Sequence, residues 1–388
     1  FRSPPSSMAS STPVDPLVQL LRSADAAEFQ QAKQSLEKAP ALRARLLRGT
    51  EPLGPLLQQR LAEPPGAGAD ALPLAAFGWL AQLTDLRPAP MEDFARHFST
   101  LGPLLATYLS ASWPNAVRLS ALRVLRHLGR ANQLRGGLGT AVMPEVLKML
   151  EEEELRGGAA AALCNLACEA QVRPMAQPAV RKLLFAVQDT RDLEAADDMV
   201  AALGVLAMGV QDEAVMDSMV EPLLAQLPRE SSVLTATVLE VLSDLARASG
   251  PGGRVAPVLA RDARLASALV RGAQRLTGPP QGRPQATTAL RLCVVLQDFD
   301  AFHNCFRAAG GVEVLRGLEQ QLSMTDGVAT ALQCRRASGY GGKTAGSANF
   351  SQLRCMMPSC GDCGPNMNSQ TRNPPSHLDI VQQLLSSL

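Results

Sequence analysis

Apolar residues recur along this chain at the spacing of one face of an α-helix, and one short pattern returns roughly every 40 residues. The pattern reads Ala-Leu-x-x-Leu followed by a small residue, as in ALCNLA at 162–167 and VLSDLA at 241–246. Each copy predicts a helix that buries its leucines along one face. The last leucine of each copy marks the register, and we call these residues the anchors. The six anchors are Leu83, Leu128, Leu166, Leu206, Leu245 and Leu296.

A second apolar pattern, also with helical spacing, lies between successive copies of the first. Two helices that alternate at this period cannot each form a core, whereas stacked helix pairs bury one continuous core. The alternation therefore predicts an all-α array of helix pairs. The copies of the second pattern lie at 53–61, 101–109, 143–150, 179–187, 219–227, 265–273 and 310–318.

Proline and glycine recur at regular positions relative to the two apolar patterns. Prolines fall at or near the predicted start of the second helix, where the missing N–H has no intrahelical partner to lose. Three Gly- and Pro-rich insertions, at 62–70, 248–253 and 277–285, predict surface loops between repeats. The prolines are Pro55, Pro103, Pro144, Pro178 and Pro222.

The segment 142–167, VMPEVLKMLEEEELRGGAAAALCNLA, resembles one complete unit of the armadillo/HEAT superfamily. FRAAGGVEVLRGL at 306–318 is similar to the join between two such units. The resemblance implies an all-α, armadillo-like solenoid of about six repeats over residues 50–322. We expect a flexible N-terminus at 1–13, a helical cap at 14–49, and a low-complexity, disordered tail at 323–388 that ends in a short amphipathic segment.

Composition supports close-packed helices and argues against several partners. Hydrophobic residues make up 46% of the chain and aromatic residues only 4%, which is unlike a β-sandwich. The 37 Lys and Arg nearly balance the 36 Asp and Glu, so we expect neither nucleic acid nor membrane as a partner. The apolar stretch 199–210 is shorter than the roughly 20 residues of a membrane span, and predicts a buried helix.

Cysteine usage and the first residues indicate the compartment. Eight cysteines in 388 residues are sparse, and several lie within apolar helical patterns as small hydrophobic residues do. The first residues, FRSPPSSMASSTPVDP, lack the apolar core of a signal peptide. We therefore expect a protein of the cytoplasm or the nucleus.

The resemblance also implies where a partner would bind. In armadillo proteins the helix ending in A-L-x-N-L-A lines the concave face, along which extended peptides lie. One Asn and no Trp occupy the matching positions, which argues against nuclear-signal binding of the importin-α type. The Asn position corresponds here to Gln82, His127, Asn165, Val205, Asp244 and Val295. The position four residues earlier corresponds to Gly78, Arg123, Ala161, Ala201, Glu240 and Arg291.

Charges at these positions change sign along the chain. Residues four apart share a helix face, so Arg123 with His127, and Glu240 with Asp244, point the same way. If they face the groove, one end prefers acidic ligand segments and the other prefers basic ones. The alternative is that these charges merely solvate exposed faces, as we expect for the acidic run 151–154. The candidate partner-binding residues are Arg123, His127, Asn165, Glu240, Asp244 and Arg291.

The sequence contains few candidate catalytic residues. The four histidines are scattered, and none is paired with Cys or Asp at a spacing that places both on one face. ASGYGGKT at 337–344 is close to a phosphate-binding loop, but Ala337 replaces its first Gly and no strand precedes it. We therefore expect a protein that is not an enzyme and binds no cofactor.

The region 324–375 is rich in Gly, Ser, Asn, Met and Cys, and its apolar periodicity is too weak to predict a core. Cys355, Cys360 and Cys363 form C-x4-C-x2-C, a weak zinc candidate because no fourth ligand has usual spacing. Residues 377–388 have apolar residues at helical spacing. This segment either docks in another protein's groove or folds back onto the last repeat. The change in composition after residue 322 also fits the loss of a final repeat.

These patterns favour a non-enzymatic scaffold or adaptor that docks an extended or helical segment of a protein partner along the concave face. The step from fold to function rests on family analogy. One alternative is a regulator of an Hsp70-type chaperone, since armadillo-like folds also clamp such ATPase domains. A second alternative is a zinc- or nucleotide-dependent activity in the tail.

Overall fold

A computed structural model describes residues 101–210, 212–250, 252–278, 283–337 and 376–388, together with the separate helical positions Glu28, Gln31, Gln34 and Ser35. Every regular element within these residues is a helix, which confirms the all-α prediction. Most of the predicted N-terminal cap and the anchor Leu83 lie outside the described residues. So do the loop at 62–70 and the cysteines Cys355, Cys360 and Cys363.

The chain divides into two compact units, and the boundary between Lys182 and Leu183 falls within one helix, α6. Unit 1 contains α1 (Leu101–Leu109), α2 (Asn115–Leu128), α3 (Asn132–Met149), α4 (Glu153–Leu166) and α5 (Arg173–Ala176). The helix at the boundary is α6 (Ala179–Asp189). Unit 2 contains α7 (Leu193–Ala207), α8 (Glu213–Leu224), α9 (Ser232–Ser249), α10 (Val255–Ala260), α11 (Ala263–Gln274), a 3₁₀ turn (Arg275–Thr277), α12 (Arg283–Leu296), α13 (Asp300–Ala308), α14 (Gly311–Ala337) and α15 (His377–Ser387).

Five helices bury the same three positions, the anchor and the residues three and four before it. These positions follow one another down a single helical face, so each helix presents one narrow apolar stripe to its neighbours. We call each set a buried triplet. The triplets are Val124, Leu125 and Leu128 on α2; Ala162, Leu163 and Leu166 on α4; Ala202, Leu203 and Leu206 on α7; Val241, Leu242 and Leu245 on α9; and Leu292, Cys293 and Leu296 on α12.

Helices that carry a buried triplet pack against one another within each unit. In unit 1, α2 packs against α4, while α1 and α4 both contact α3. In unit 2, α9 packs against α7 and α12, and α12 also packs against α11. Within each unit, helices of the second pattern thus pack beside the triplet helices, and we call them the second layer. This recurrence of helix pairs is the arrangement expected of a repeat architecture.

A polar contact that the sequence pattern does not predict recurs in the turns after three of the triplet helices, α2, α4 and α12. The residue just after the anchor leaves its carbonyl without an intrahelical partner. A basic side chain six residues further along the chain binds that oxygen, as is favourable at the negative end of a helix dipole. The pairs are Gly129 with Arg135 at 2.7 Å, Ala167 with Arg173 at 3.1 Å, and Gln297 with His303 at 2.5 Å.

The proline rule predicted from the sequence is wrong at two positions. Pro103 lies near the start of α1 and Pro178 immediately precedes α6, as expected. Pro144 and Pro222, however, lie inside α3 and α8. The reason at α8 is a cap further upstream, because the Asp212 carboxylate accepts a hydrogen bond from the N–H of Ala214 at 2.9 Å.

Three other predictions from the sequence can be compared with the observed helices. α7 includes residues 199–207 of the predicted apolar stretch and buries most of them, whereas Met208, just beyond its end, is 51% exposed. The boundary predicted between residues 322 and 323 falls inside α14, and the predicted terminal amphipathic segment forms α15. No helix in the described part of the chain is both long enough and apolar enough to cross a membrane.

Two glycines of α3 are expected to respond to alanine in opposite directions. A Cβ on Gly139 would lie 2.6 and 2.7 Å from the two γ-carbons of Val172, which has no flexible end to move aside. A Cβ on Gly137 would meet nothing within 4 Å. We expect Gly139→Ala to lower the free energy of unfolding by about 1–3 kcal/mol. Gly137→Ala should raise it by about 0.5–1 kcal/mol, because glycine is a poor helix former. Urea denaturation of both variants measures the difference, and equal effects would contradict the close packing of α3 on α5.

Candidate functional site

Arg123 and His127 lie one turn apart on α2, on the exposed side of its buried triplet. Arg123 is exposed, and His127 is half-buried. The basic residues Arg126 and Arg130 follow on the same helix and the turn after it. The pair Arg123 and His127 therefore has the common direction that the four-residue spacing predicts.

Asn165 on α4 has a role that the sequence does not suggest. Its side-chain amide donates a hydrogen bond to the backbone carbonyl of Arg126 on α2, at 2.8 Å. That carbonyl lies in the last turn of α2, where helices need outside donors. The resemblance places Asn165 on a face along which a partner would lie, whereas in unit 1 its amide links two helices of the protein itself.

Arg118, another basic residue of α2, is buried. Its side chain is only 4% exposed and forms two hydrogen bonds to the Glu152 carboxylate, at 2.6 and 2.7 Å. It also donates to the carbonyl of Leu109 at 3.2 Å. These bonds to Arg118 hold the pKa of Glu152 below its ordinary value. Arg118 is thus part of the core of unit 1 and unavailable to a partner.

The acidic run 151–154, expected to be merely solvated, is largely paired within unit 1. Besides the bond between Glu152 and Arg118, Glu151 lies 2.7 Å from the ammonium of Lys182. The Glu154 carboxylate accepts a hydrogen bond from the Asn115 amide at 2.6 Å. The partners come from 31 to 39 residues away in the sequence, so a local pattern cannot predict these bonds.

Glu240 and Asp244 lie one turn apart on α9 in unit 2, and both are half-buried. Asp244 accepts a hydrogen bond from Arg247 at 3.3 Å. Burial raises the pKa of Glu240, and the neighbouring Asp244 raises it further, against the opposing charges of Arg291 and Arg247. Burial also raises the pKa of Asp244, against the effect of Arg247. The two carboxyl groups are thus costly to ionise where they stand.

Arg291 extends from α12, which packs against α9, and its charge acts on Glu240. Glu240, Asp244, Arg247 and Arg291 therefore form one group of charges spanning two helices, which we call the unit 2 charge cluster. Its two half-buried carboxyl groups have lost part of their hydration. A bound guanidinium or ammonium group would replace the lost contacts with water, because it makes strong charge-assisted hydrogen bonds to carboxylates.

Other positions in the same register offer less to a ligand. Ala161 on α4 and Val205 on α7 are buried, at 3% and 4% exposure. His303 and His377 both bind groups within unit 2, a backbone carbonyl for His303 and the Thr287 hydroxyl for His377. No group of three or more His, Cys, Asp or Glu that could hold a metal occurs among the described residues.

The structure also contains a cleft of about 510 Å³ in unit 2, between α13, α14 and α15. The sequence gives no sign of it, because one of its walls is formed by α15, far along the chain. Its lining combines two arginines and two glutamates with three apolar side chains. The lining residues are Arg307, Val312, Glu313, Arg316, Glu319, Leu385 and Leu388.

The fold and these positions define an all-helical protein whose helices recur in pairs. No protein-family model matches the chain, and no curated protein matches it. Among solved structures it is similar to two engineered proteins, both crystal structures from the Northeast Structural Genomics Consortium. They share 17% and 16% sequence identity with it, each at a TM-score of 0.49. Each alignment covers 63% of this chain, and 96% and 99% of the two engineered chains.

Neutralising the two carboxyl groups of the unit 2 charge cluster is expected to stabilise the protein near neutral pH. A raised pKa contributes stability below the ordinary pKa of the group and loses it as the pH rises through the folded value. The variant Glu240→Gln with Asp244→Asn should therefore match the parent near pH 3. At pH 7 it should exceed the parent by about 0.5 kcal/mol, a small gain because both groups are partly exposed.

Urea denaturation of the full chain between pH 3 and pH 7 measures this effect. Glu230→Gln, which removes one exposed carboxylate on the turn before α9, is the control and should show almost no trend with pH. A parent that gains stability over the variant as the pH rises would show that the cluster is electrostatically favourable as it stands.

Proposed function

We propose that this chain is a non-enzymatic scaffold or adaptor that binds a segment of a protein partner along one face of its triplet helices. In this proposal the helix pairs form an armadillo-like solenoid of about six repeats, and the partner segment is extended or helical. The work of such a protein is to bring partners together, so it needs no cofactor. The proposed compartment is the cytoplasm or the nucleus.

The observation that carries the proposal is the unit 2 charge cluster. Glu240 and Asp244 are half-exposed, so a ligand can reach them. Their partial burial raises the pKa of both carboxyl groups. Shifted pKa values at a partly exposed surface are typical of binding sites, because a ligand can supply the missing counter-charge. The cluster spans two packed triplet helices, so a segment lying across α9 and α12 would contact both.

The charges indicate what each unit would bind. The acidic pair of unit 2 favours a Lys or Arg side chain of the partner, with Arg291 beside it to attract a neighbouring acidic residue. In unit 1, Arg123 and His127 favour an acidic side chain. Asn165 contributes less than the resemblance implies, since its amide already binds the carbonyl of Arg126.

Affinity capture followed by mass spectrometry tests the proposal with the full chain and two variants. One variant is Glu240→Gln with Asp244→Asn, and the other is Arg123→Ala with His127→Ala. Glu230→Gln and Arg181→Ala are the matched controls, since they remove the same kinds of charge from exposed positions elsewhere. We expect a partner that the parent and both controls retain and that at least one of the site variants loses more than tenfold.

Peptides from the captured partner then identify the segment by fluorescence anisotropy. A basic segment should depend on Glu240 and Asp244, and an acidic one on Arg123 and His127. If all four variants retain every partner equally, binding lies elsewhere and these residues are not the site. A folded ATPase domain of Hsp70 type, captured without any short binding segment, would favour the chaperone-regulator alternative. Stoichiometric zinc in the purified chain would favour activity in the tail.

A further inference from the structure

The last helix of the chain, α15, repeats the buried triplet of the repeat helices. Ile380, Val381 and Leu384 are 8%, 0% and 1% exposed, and they have the same spacing as Val241, Leu242 and Leu245 on α9. The remaining positions of α15 are polar or only partly buried. α15 is therefore an amphipathic helix with the apolar stripe of a triplet helix.

The place of α15 in unit 2 is also that of a triplet helix. α12 packs against the preceding triplet helix, α9, and against α11 from the second layer. In the same way α15 packs against α12 and against α14 from the second layer. A segment from beyond the region 338–375 thus occupies the position that a final repeat would fill. This segment folds back onto the last repeat, one of the two outcomes that the sequence left open.

Polar contacts set the register of α15 on this surface. Within α15 itself, Ser376 and Asp379 form a reciprocal capping box that fixes where the helix begins, and the contacts to other helices are separate. The His377 ring lies 2.9 Å from the Thr287 hydroxyl, and the Gln383 amide donates to the Gln297 side chain at 3.2 Å. At its end, the carbonyl of Leu388 accepts a hydrogen bond from Arg307. The contacts are therefore specific along the whole helix.

Covalent linkage does not force α15 onto this surface. The residues 338–375 have a contour length of roughly 120 Å at about 3.3 Å per residue, far more than a tight turn would require. A helix of 11 residues is marginal in water by itself, so its helical form depends on the surface of α12 and α14. Only three side chains are fully inserted, which is a small apolar contact for a permanent part of a core.

We propose that the face of α12 and α14 under α15 is a binding site for an amphipathic helix, and that the chain's own residues 376–388 are its resident and displaceable occupant. The ligand class is a short helix with apolar side chains at positions i, i+1 and i+4 and an N-terminal cap. The residues of this site differ from those of the unit 2 charge cluster. The experiments below therefore test this proposal independently of the proposed function.

Opening the site in the full chain tests the proposal. Val381→Asp with Leu384→Asp places two charges on the buried face of α15 and should release it, while Gln382→Asp with Ser386→Asp changes only exposed positions. The probe is a fluorescent peptide of residues 376–388, followed by anisotropy. We expect it to bind the opened variant at least tenfold more tightly than the parent or the control, because the tethered helix competes at high effective concentration. A probe carrying the same two aspartates should not bind.

A second measurement leaves the core residues unchanged. A specific protease site inserted after Gly364 allows the chain to be cut between α14 and α15 without altering either helix. The released fragment should co-elute with the body in gel filtration and leave it when excess peptide 376–388 is added, but not when the doubly substituted peptide is added. A cut fragment that never exchanges, or an opened variant that melts like the control and binds no probe, would overturn the proposal. If the opened variant fails to fold, the cleavage result decides alone.

Discussion

Replacing Phe306 with alanine is expected to lower the free energy of unfolding of this protein by about 3–5 kcal/mol. Phe306 lies on α13 and is 1% exposed, and its ring stacks on Phe302 with the centroids 5.2 Å apart. A Cβ on Gly311 would lie 2.2 Å from the same ring, so the start of α14 rests directly on it. Removing the ring would leave a cavity between these helices that the packed backbone cannot close.

Phe185→Ala is the matched control, because this phenylalanine of α6 is 69% exposed and its loss should change stability by less than about 0.5 kcal/mol. Urea denaturation of both variants, followed by circular dichroism, measures the two effects. Equal small effects would mean that α13 and α14 do not share a core in solution.

Removing the Glu152 carboxylate should have the second-largest effect, a loss of about 2–3 kcal/mol in Glu152→Ala. Breaking a fully buried ion pair by removing one partner typically costs about 3–5 kcal/mol, because the other charge remains buried. Here the Arg118 side chain is 4% exposed, but that of Glu152 is 40% exposed, so water screens part of the interaction. Arg118 would retain its bonds to Leu109 and Asn115 but lose both bonds to a carboxylate.

The pH dependence of this effect has a definite sign. Because Arg118 lowers the pKa of Glu152, the stabilisation is present above the ordinary pKa of glutamate and is lost as the pH falls through the folded value. The parent and Glu152→Ala should thus converge in acid and differ most near pH 7.

Glu153→Ala is the neighbouring control and should cost less than about 1 kcal/mol, since it removes only a favourable charge from the first turn of α4. Adding Arg118→Met to Glu152→Ala should restore much of the lost stability, because an apolar side chain then replaces the uncompensated charge. A Glu152→Ala variant as stable as Glu153→Ala at pH 7 would contradict a buried pair.

Local periodicity was enough to predict the helices and their buried faces. The anchors Leu128, Leu166, Leu206, Leu245 and Leu296 are all fully buried, because a side chain every three or four residues must meet the neighbouring helix whatever the details of the loops. The same reasoning placed Arg123 with His127, and Glu240 with Asp244, on common faces. Helix starts were less predictable, since the Asp212 cap outweighs Pro222 at α8.

The candidate site was predictable only in part. Spacing shows that Glu240 and Asp244 share a face, but only the packing of α9 on α12 adds Arg291 to them. Arg118 lies four residues before Leu122, on the buried face of α2, whereas Arg123 lies off that face and is exposed. Only the tertiary structure shows which carboxylate, that of Glu152, pairs with the buried Arg118 charge.

The sequence by itself determined the helical class of this protein, the register of its buried triplets and the sign of the charges on each triplet helix, because these depend on neighbours within one or two helical turns. Tertiary structure alone decided which charges are paired, as for Arg118 and Glu152, and where the last helix lies. Those outcomes depend on contacts between residues that are 34 to 90 positions apart in the sequence, and such side chains meet only after the helices have packed.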